Sequence, residues 1–161
     1  MGVSGCGKST VAAALAKTAQ VAFIEGDEYH PDANVAKMSA GVPLDDTDRA
    51  GWLQALAGQI GAARAQGVGI VISCSALKRR YRDQLREADP QLRFAHLRGP
   101  RELIEQRMHG RSGHYMPPSL LDSQLRDLEP LQAGEAGITL DISMPPADLV
   151  ASIVGNQDRT G

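Results

Sequence analysis

Gly2-Val3-Ser4-Gly5-Cys6-Gly7-Lys8-Ser9 fits the pattern G-x-x-x-x-G-K-[ST] at every fixed position. The spacing suits phosphate chemistry. Glycines let the backbone curl until successive N–H groups point inward at phosphate oxygens. Lys8 then reaches the β- and γ-phosphates, and the Ser9 hydroxyl can ligate Mg²⁺. A helix starting at the lysine adds the positive end of its dipole. Ser9-Thr10, Val11, Leu15 and an alanine-rich run to Ala19 supply that helix. The expected cofactors are therefore ATP and Mg²⁺, with Gly2, Val3, Ser4, Gly5, Cys6, Gly7, Lys8, Ser9 and Thr10 around the nucleotide.

Phosphoryl transfer also needs an acceptor site and mobile cations. Glu25 and Asp27 stand at the end of an apolar stretch, and i, i+2 spacing in extended backbone would put them on one side. One carboxylate can orient Mg²⁺-bound water, which is the role expected of Glu25; the other, Asp27, can accept a hydrogen bond from the attacking hydroxyl. Arg107 and Arg111 stand at i, i+4 ahead of Ser112-Gly113-His114-Tyr115-Met116-Pro117-Pro118. That apolar-poor segment reads as a lid over about 110–118, closing on ATP with its arginines near the transition-state charge.

The elements must present these groups together. Val21–Ile24 reads as a short buried strand, Asn34–Ala40 as a short helix, and the Asp45-Asp46-Thr47-Asp48 cluster as the cap of a longer one ending near Gly67. Gly69–Cys74 is a continuous apolar run, the pattern of a strand buried on both faces. Helix over Lys78–Ala88, strand over Leu92–Leu97, helix after Pro100, helix from Ser119 and strand over Ile138–Ile142 follow, and Pro146 opens the last helix. This alternation implies one α/β domain over residues 1–161, a parallel sheet wrapped by helices with ligands at the strands' carboxyl ends. A phosphate loop should also hang from a buried central strand. The reading therefore expects an upstream strand of about 5–6 residues, without which two neighbouring strands lose hydrogen bonds.

Bulk properties narrow the class. With 161 residues, 42% hydrophobic and 22% charged, the composition is that of a globular domain with a real core. A net charge of −2 gives no global basic field for nucleic acid, and no apolar run approaches the length that crosses a bilayer. The expected location is cytoplasmic. Cys6 and Cys74 make no disulfide framework; a redox-sensitive pair is conceivable, and two reduced small residues is the plainer reading. No Asn-Lys-x-Asp guanine signature is present, and Gly69–Cys74 does not end in the aspartate that many P-loop ATPases use for Mg²⁺. A small-molecule kinase fits best.

Four stretches carry a resemblance: MGVSGCGKST, GDEYHPDANVAKMSAGVPLDDTDRAGWL, CSALKRRYRDQLR and RMHGRSGHYMPPSLLDSQLRDLEP. Together they run from Met1 to Pro130, and in that order the chain resembles the bacterial-type gluconokinases, small P-loop kinases related to shikimate kinases. The resemblance implies Mg²⁺-ATP-dependent phosphorylation of D-gluconate at its terminal hydroxyl, and a homodimer. A sugar acid offers a carboxylate and a row of hydroxyls, which Arg, carboxylate and imidazole groups recognise. The candidate acceptor-binding residues are Asp27, His30, Lys37, Arg49, Lys78, Arg82 and His114, several of them in an insert over about 30–60. Trp52 reads as core packing.

The chain departs from the family's common pattern at Glu25, where Asp is usual, at Gly51, where Pro is usual, and at Tyr115, where Phe is common. None of these removes a candidate catalytic group. Two other functions stay open at this level: a kinase of the same architecture for another acceptor, such as shikimate or a nucleoside monophosphate, and a catalytically inactive ATP-binding regulator.

Overall fold

A computed structural model describes residues 1–109 and 118–157. The chain alternates as expected: α1 (Lys8–Ala19), β1 (Ala22–Glu25), a single 3₁₀ turn (Gly26–Tyr29), α2 (Asp32–Ser39), α3 (Asp46–Gln66), β2 (Ile70–Ser73), α4 (Arg79–Ala88), β3 (Phe94–Arg98), α5 (Arg101–His109), α6 (Pro118–Asp127), β4 (Gly137–Asp141) and α7 (Pro146–Gln157).

Local chemistry explains the boundaries. Gly7, at φ 92°, turns the phosphate loop into α1 through left-handed backbone that a side chain would disfavour. Asp45 and Asp48 form a reciprocal capping box at the start of α3: the Asp48 N–H donates to Asp45 at 2.8 Å and the Asp45 N–H donates back to Asp48 at 3.0 Å. The acidic cluster thus starts the long helix, whose Trp52, Leu53, Leu56 and Ile60 form the buried face.

The strands form two parallel pairs, Ala22–Glu25 against Ile70–Ser73 and Phe94–Arg98 against Gly137–Asp141. Helices cover both faces, giving the expected parallel α/β architecture. Two apolar clusters hold it: Val3, Leu15, Leu77, Leu97, Ile104, Leu140, Ile142 and Leu149 in one, and Trp52, Leu53, Leu56, Ile60, Tyr81, Leu85 and Phe94 in the other.

Between β2 and β3 lies a cavity of about 570 Å³, lined by Ile70 to Cys74, Phe94, Ala95, Leu97, Val11, Leu15, Leu56 and Ile60. Met1 stands at its end with ladder bonds. Its amino group donates to Ala95 O, its carbonyl accepts from Leu97 N at 2.9 Å, and Gly2 N donates to Ser75 O at 3.1 Å. Donation to Ala95 and acceptance from Leu97 is the hydrogen-bond pattern of a parallel pair with His96. The backbone ahead of the phosphate loop is therefore strand-like: Met1 bonds to β3, and Gly2 bonds to Ser75, just past the end of β2.

Candidate active site

The phosphate loop runs from Gly2 to Lys8, with Cys6 buried beneath it. Lys8 Nζ donates to the Val3 carbonyl oxygen at 2.9 Å, so the lysine folds back across its own loop. Ser9 and Thr10 are exposed in the first turn of α1. Arg107 reaches the same loop from α5: its Nη1 lies 3.8 Å from where a Cβ on Gly7 would stand, while Nη2 donates to Ile142 O at 2.7 Å. Arg107 thus stands beside Gly7 of the phosphate loop. Arg111, His114 and nearly all of the lid read over 110–118 lie outside the described residues.

A small cavity of about 70 Å³ opens beside the loop, and five of the expected site residues, Ser4, Lys8, Asp27, His30 and Arg49, line it. Ser4 and Lys8 line it from the loop, Asp27 and His30 from the turn after β1, Arg49 and Trp52 from α3, and Leu120, Ser123 and Gln124 from α6. The much larger cavity between the half-sheets is mostly apolar in its lining and carries no such cluster.

Trp52 organises the cavity wall formed by α3 and the turn after β1. Its Nε1 donates to Gly26 O at 2.7 Å, and its ring stacks on His30 with centroids 4.5 Å apart. Gly26 is required there because a Cβ would lie 2.2 Å from Ser73 O. Burial holds the His30 imidazole below its ordinary pKa, ahead of an upward pull from Asp27 and a downward push from Arg49. Asn34 completes the seat: its Nδ2 donates to Asp48 O at 2.7 Å and stands 3.4 Å from His30 Nδ1.

Arg49 is 6% exposed, and its Nη1 donates to Asp127 at 2.8 Å and to Tyr81 OH at 3.3 Å. Lys78 joins the same network through Asp46 at 3.0 Å and Asp127 at 3.6 Å. The Tyr81 hydroxyl and Arg80 also engage Asp46, and together these contacts hold the Asp46 carboxyl far below its ordinary pKa. The network ties α3, α4 and α6 together behind the pocket.

Three sequence expectations are corrected by these placements, and a fourth is extended. Arg82 does not converge on the pocket. It is fully buried, paired with Glu135 at 2.6 Å and donating to the carbonyl oxygens of Ala76, Leu77 and Glu129. Lys37 pairs with Asp48 at 2.6 Å on an exposed face and does not line the cavity. Glu25 and Asp27 do not share a side, because the 3₁₀ turn interrupts the extended backbone at Gly26; Glu25 accepts from Ser73 Oγ while Asp27 lines the cavity. Trp52 is buried as expected, yet it also forms a wall of the site.

Sequence reasoning missed Gln124, Asp127 and Glu135. No motif marks a lone glutamine, but Leu120, Ser123, Gln124 and Asp127 recur at helical spacing on one face of α6. The thiols of Cys6 and Cys74 are free and buried, and burial pushes Cys74 up to about 11, which suits a packed thiol better than a reactive one.

Among the described residues, no group of three or more His, Cys, Asp or Glu side chains is placed to hold a metal. Magnesium in a phosphate-loop site does not need one, since it is held by a hydroxyl, waters and substrate phosphates. The exposed Ser9 hydroxyl fits that arrangement.

With this geometry in view, the comparisons are specific. Residues 1–131 match the AAA domain family. The thermoresistant gluconokinase of Escherichia coli is 43% identical over 155 residues, spanning 96% of this chain and 89% of that protein. A gluconokinase structure from Sinorhizobium meliloti superposes with a TM-score of 0.87 at 42% identity, covering 99% of this chain and 89% of the other. The chain belongs to the gluconokinase family. Its relatives also include a sugar kinase structure from Janibacter, with a TM-score of 0.93 at 48% identity and 99% and 92% of the two chains covered. Family membership places the P-loop kinase fold and the nucleotide use beyond the motif alone.

Proposed function

We propose that this chain transfers the γ-phosphoryl group of ATP to the terminal hydroxyl of D-gluconate, giving 6-phospho-D-gluconate. One observation carries the reading: Lys8 and Ser4 of the phosphate loop line the same cavity as Asp27, His30 and Arg49. Donor and acceptor machinery therefore share one space.

Each residue has a separable role. The loop amides and Lys8 cradle the phosphates, and Arg107 adds positive charge at Gly7. Asp27 accepts the proton or hydrogen bond of the attacking hydroxyl. His30, held neutral by burial, can accept from one substrate hydroxyl or donate to another. Arg49 is the cation placed to face the sugar acid's carboxylate, with Asp127 and Tyr81 fixing its plane. Mg²⁺ would be held by Ser9 together with nucleotide phosphates and water, and when bound it neutralises charge on the transferring group. Arg111 and His114, from the lid, are proposed to complete the site. The proposal extends to a cytoplasmic homodimer; no helix among the described residues is long and apolar enough to cross a membrane.

The test is ADP release with Mg²⁺-ATP in the presence and absence of D-gluconate, with shikimate and AMP as comparison acceptors. Release that depends on gluconate is the expected result. Release with another acceptor alone would overturn the substrate, and ATP binding without any acceptor-dependent release would overturn the activity.

A further inference from the structure

One side chain bridges the two halves of the site without having been assigned to either. Gln124 is half-buried on α6, and its Oε1 accepts from the backbone N–H of Ser4 at 2.6 Å. That is an amide of the phosphate loop itself. Gln124 also lines the acceptor cavity with Asp27, His30 and Arg49. Three residues further along the helix, Asp127 holds Arg49 at 2.8 Å. One face of α6 thus contacts the phosphate loop through Gln124 and the acceptor-side arginine through Asp127.

A primary amide has two ends with opposite hydrogen-bonding character. With Oε1 committed to Ser4, the orientation of the group is fixed, and the Nε2 end carries two donors. Among the described residues these donors have no hydrogen-bond partner. Elsewhere in the loop the contacts are internal: Cys6 N donates to Val3 O at 3.4 Å and Lys8 Nζ donates to the same carbonyl oxygen. The loop amide of Ser4 orients the glutamine.

We infer that Gln124 is an acceptor-binding residue, its Oε1 locked by Ser4 so that Nε2 donates to an oxygen of the sugar acid where the acceptor meets the phosphate loop. This rests on the sugar-acid reading of the cavity. Its consequence is a bound acceptor registered against the loop that carries the phosphoryl donor, which is what in-line transfer requires.

The experiment compares wild type with Gln124→Met, which keeps side-chain length without hydrogen bonds, and Gln124→Glu, which keeps an acceptor for Ser4 but removes both donors. Measurements are steady-state kinetics with D-gluconate, the dissociation constant of ATP by calorimetry, and Tm. For both variants the KM for gluconate should rise about 10-fold or more, the usual effect of losing a hydrogen bond to a charged or polar ligand. The ATP dissociation constant should stay within about 3-fold for Gln124→Met, with Tm unchanged. An unchanged gluconate KM in both variants would overturn the inference. So would an equal loss of ATP and gluconate affinity, which would make Gln124 a brace of the loop. A wild-type protein that binds ATP but ignores gluconate would instead remove the reading of the cavity, and the two failures are therefore distinguishable.

Discussion

Trp52 and His30 lie nearly parallel, 11° between ring planes and 4.5 Å between centroids, with the indole N–H anchored on Gly26 O. A turn that carries Asp27 is thereby clamped to α3, which carries Arg49. Trp52→Phe keeps a ring for the stack and removes the anchor. The expected outcome is a loss of about 1–2 kcal/mol of stability in urea, with a higher KM for gluconate and little change in ATP affinity. A variant with wild-type KM would show that the clamp does not position the acceptor side.

His96 sets an acid limit on stability. It is 1% exposed in β3, and neither ring nitrogen has a hydrogen-bond partner among the described residues. Burial first, then the amino group of Met1, Arg82 and Arg98, lowers it from 6.5 to about 4. The unfolded chain then binds a proton that the folded chain does not, so stability is full above pH 6.5 and is lost as pH falls toward 4. The loss should be on the order of 2–3 kcal/mol across that window. His96→Leu should flatten it, as read from chemical denaturation at each pH. Glu135 acts lower: its hydrogen bonds with Arg82 depress it to about 2, so its contribution fades between pH 4.5 and 2.

The α/β alternation was legible because its signals are local. Glycine spacing, the Asp45–Asp48 cluster and the apolar run before Cys74 each specify backbone within a few residues. The phosphate loop was legible for the same reason, since its chemistry lies in consecutive amides. Arg82 was misread because its fate depends on Glu135, 53 positions away; an arginine in a basic helix looks the same in sequence whether it meets substrate or a buried carboxylate. Gln124 was invisible because its partner is a backbone N–H of Ser4, and a backbone group leaves no residue signature. Glu25 failed on a subtler point. The two-residue period holds only while the strand continues, and Gly26 ends it.

Arg82 and Glu135 offer a test of structural against binding roles. Both side chains are 0% exposed, and Arg86 adds a second contact to the carboxylate at 3.2 Å. Arg82→Met leaves the buried Glu135 carboxylate with Arg86 as its remaining cationic partner, and the expected destabilisation is about 3 kcal/mol, the low end for breaking a buried pair. Pairing it with Glu135→Leu should recover much of that loss, a coupling that a double-mutant cycle reads directly. In the folded fraction at low temperature, KM for gluconate should match wild type. A raised KM there would return Arg82 to the acceptor site.

Asp27 and Lys8 should separate by kinetic signature. Asp27→Asn keeps size and a hydrogen-bonding group but no longer accepts a proton, so kcat should fall about 10²–10⁴-fold with KM for ATP little changed. Lys8→Ala removes the cation beside the phosphates and should weaken ATP binding as well as turnover. Intact kcat in Asp27→Asn would require another base, and His30 is the neighbouring candidate.

The cavity between β2 and β3 makes a prediction about the whole fold. Its walls are the inner edges of two parallel pairs, and Met1 already bonds to the β3 edge in register with His96. An extended segment of about five apolar residues fused ahead of Met1 would continue that ladder along β3 and meet the free edge of β2. Each completed backbone bond contributes about 1 kcal/mol net, and apolar side chains add about 25 cal/mol per Å² buried. Even after the entropy of ordering the segment, a gain of about 3 kcal/mol is expected, or roughly 6–12 °C in Tm for a chain of this size. A segment of the same length made of Gly and Ser should give no such gain, because it can form the bonds but not fill the cavity. Calorimetry of the two fusions, with hydrogen exchange at the β2 and β3 amides, decides the matter. Equal Tm values and unprotected edge amides in both would show that the cavity does not accept a strand.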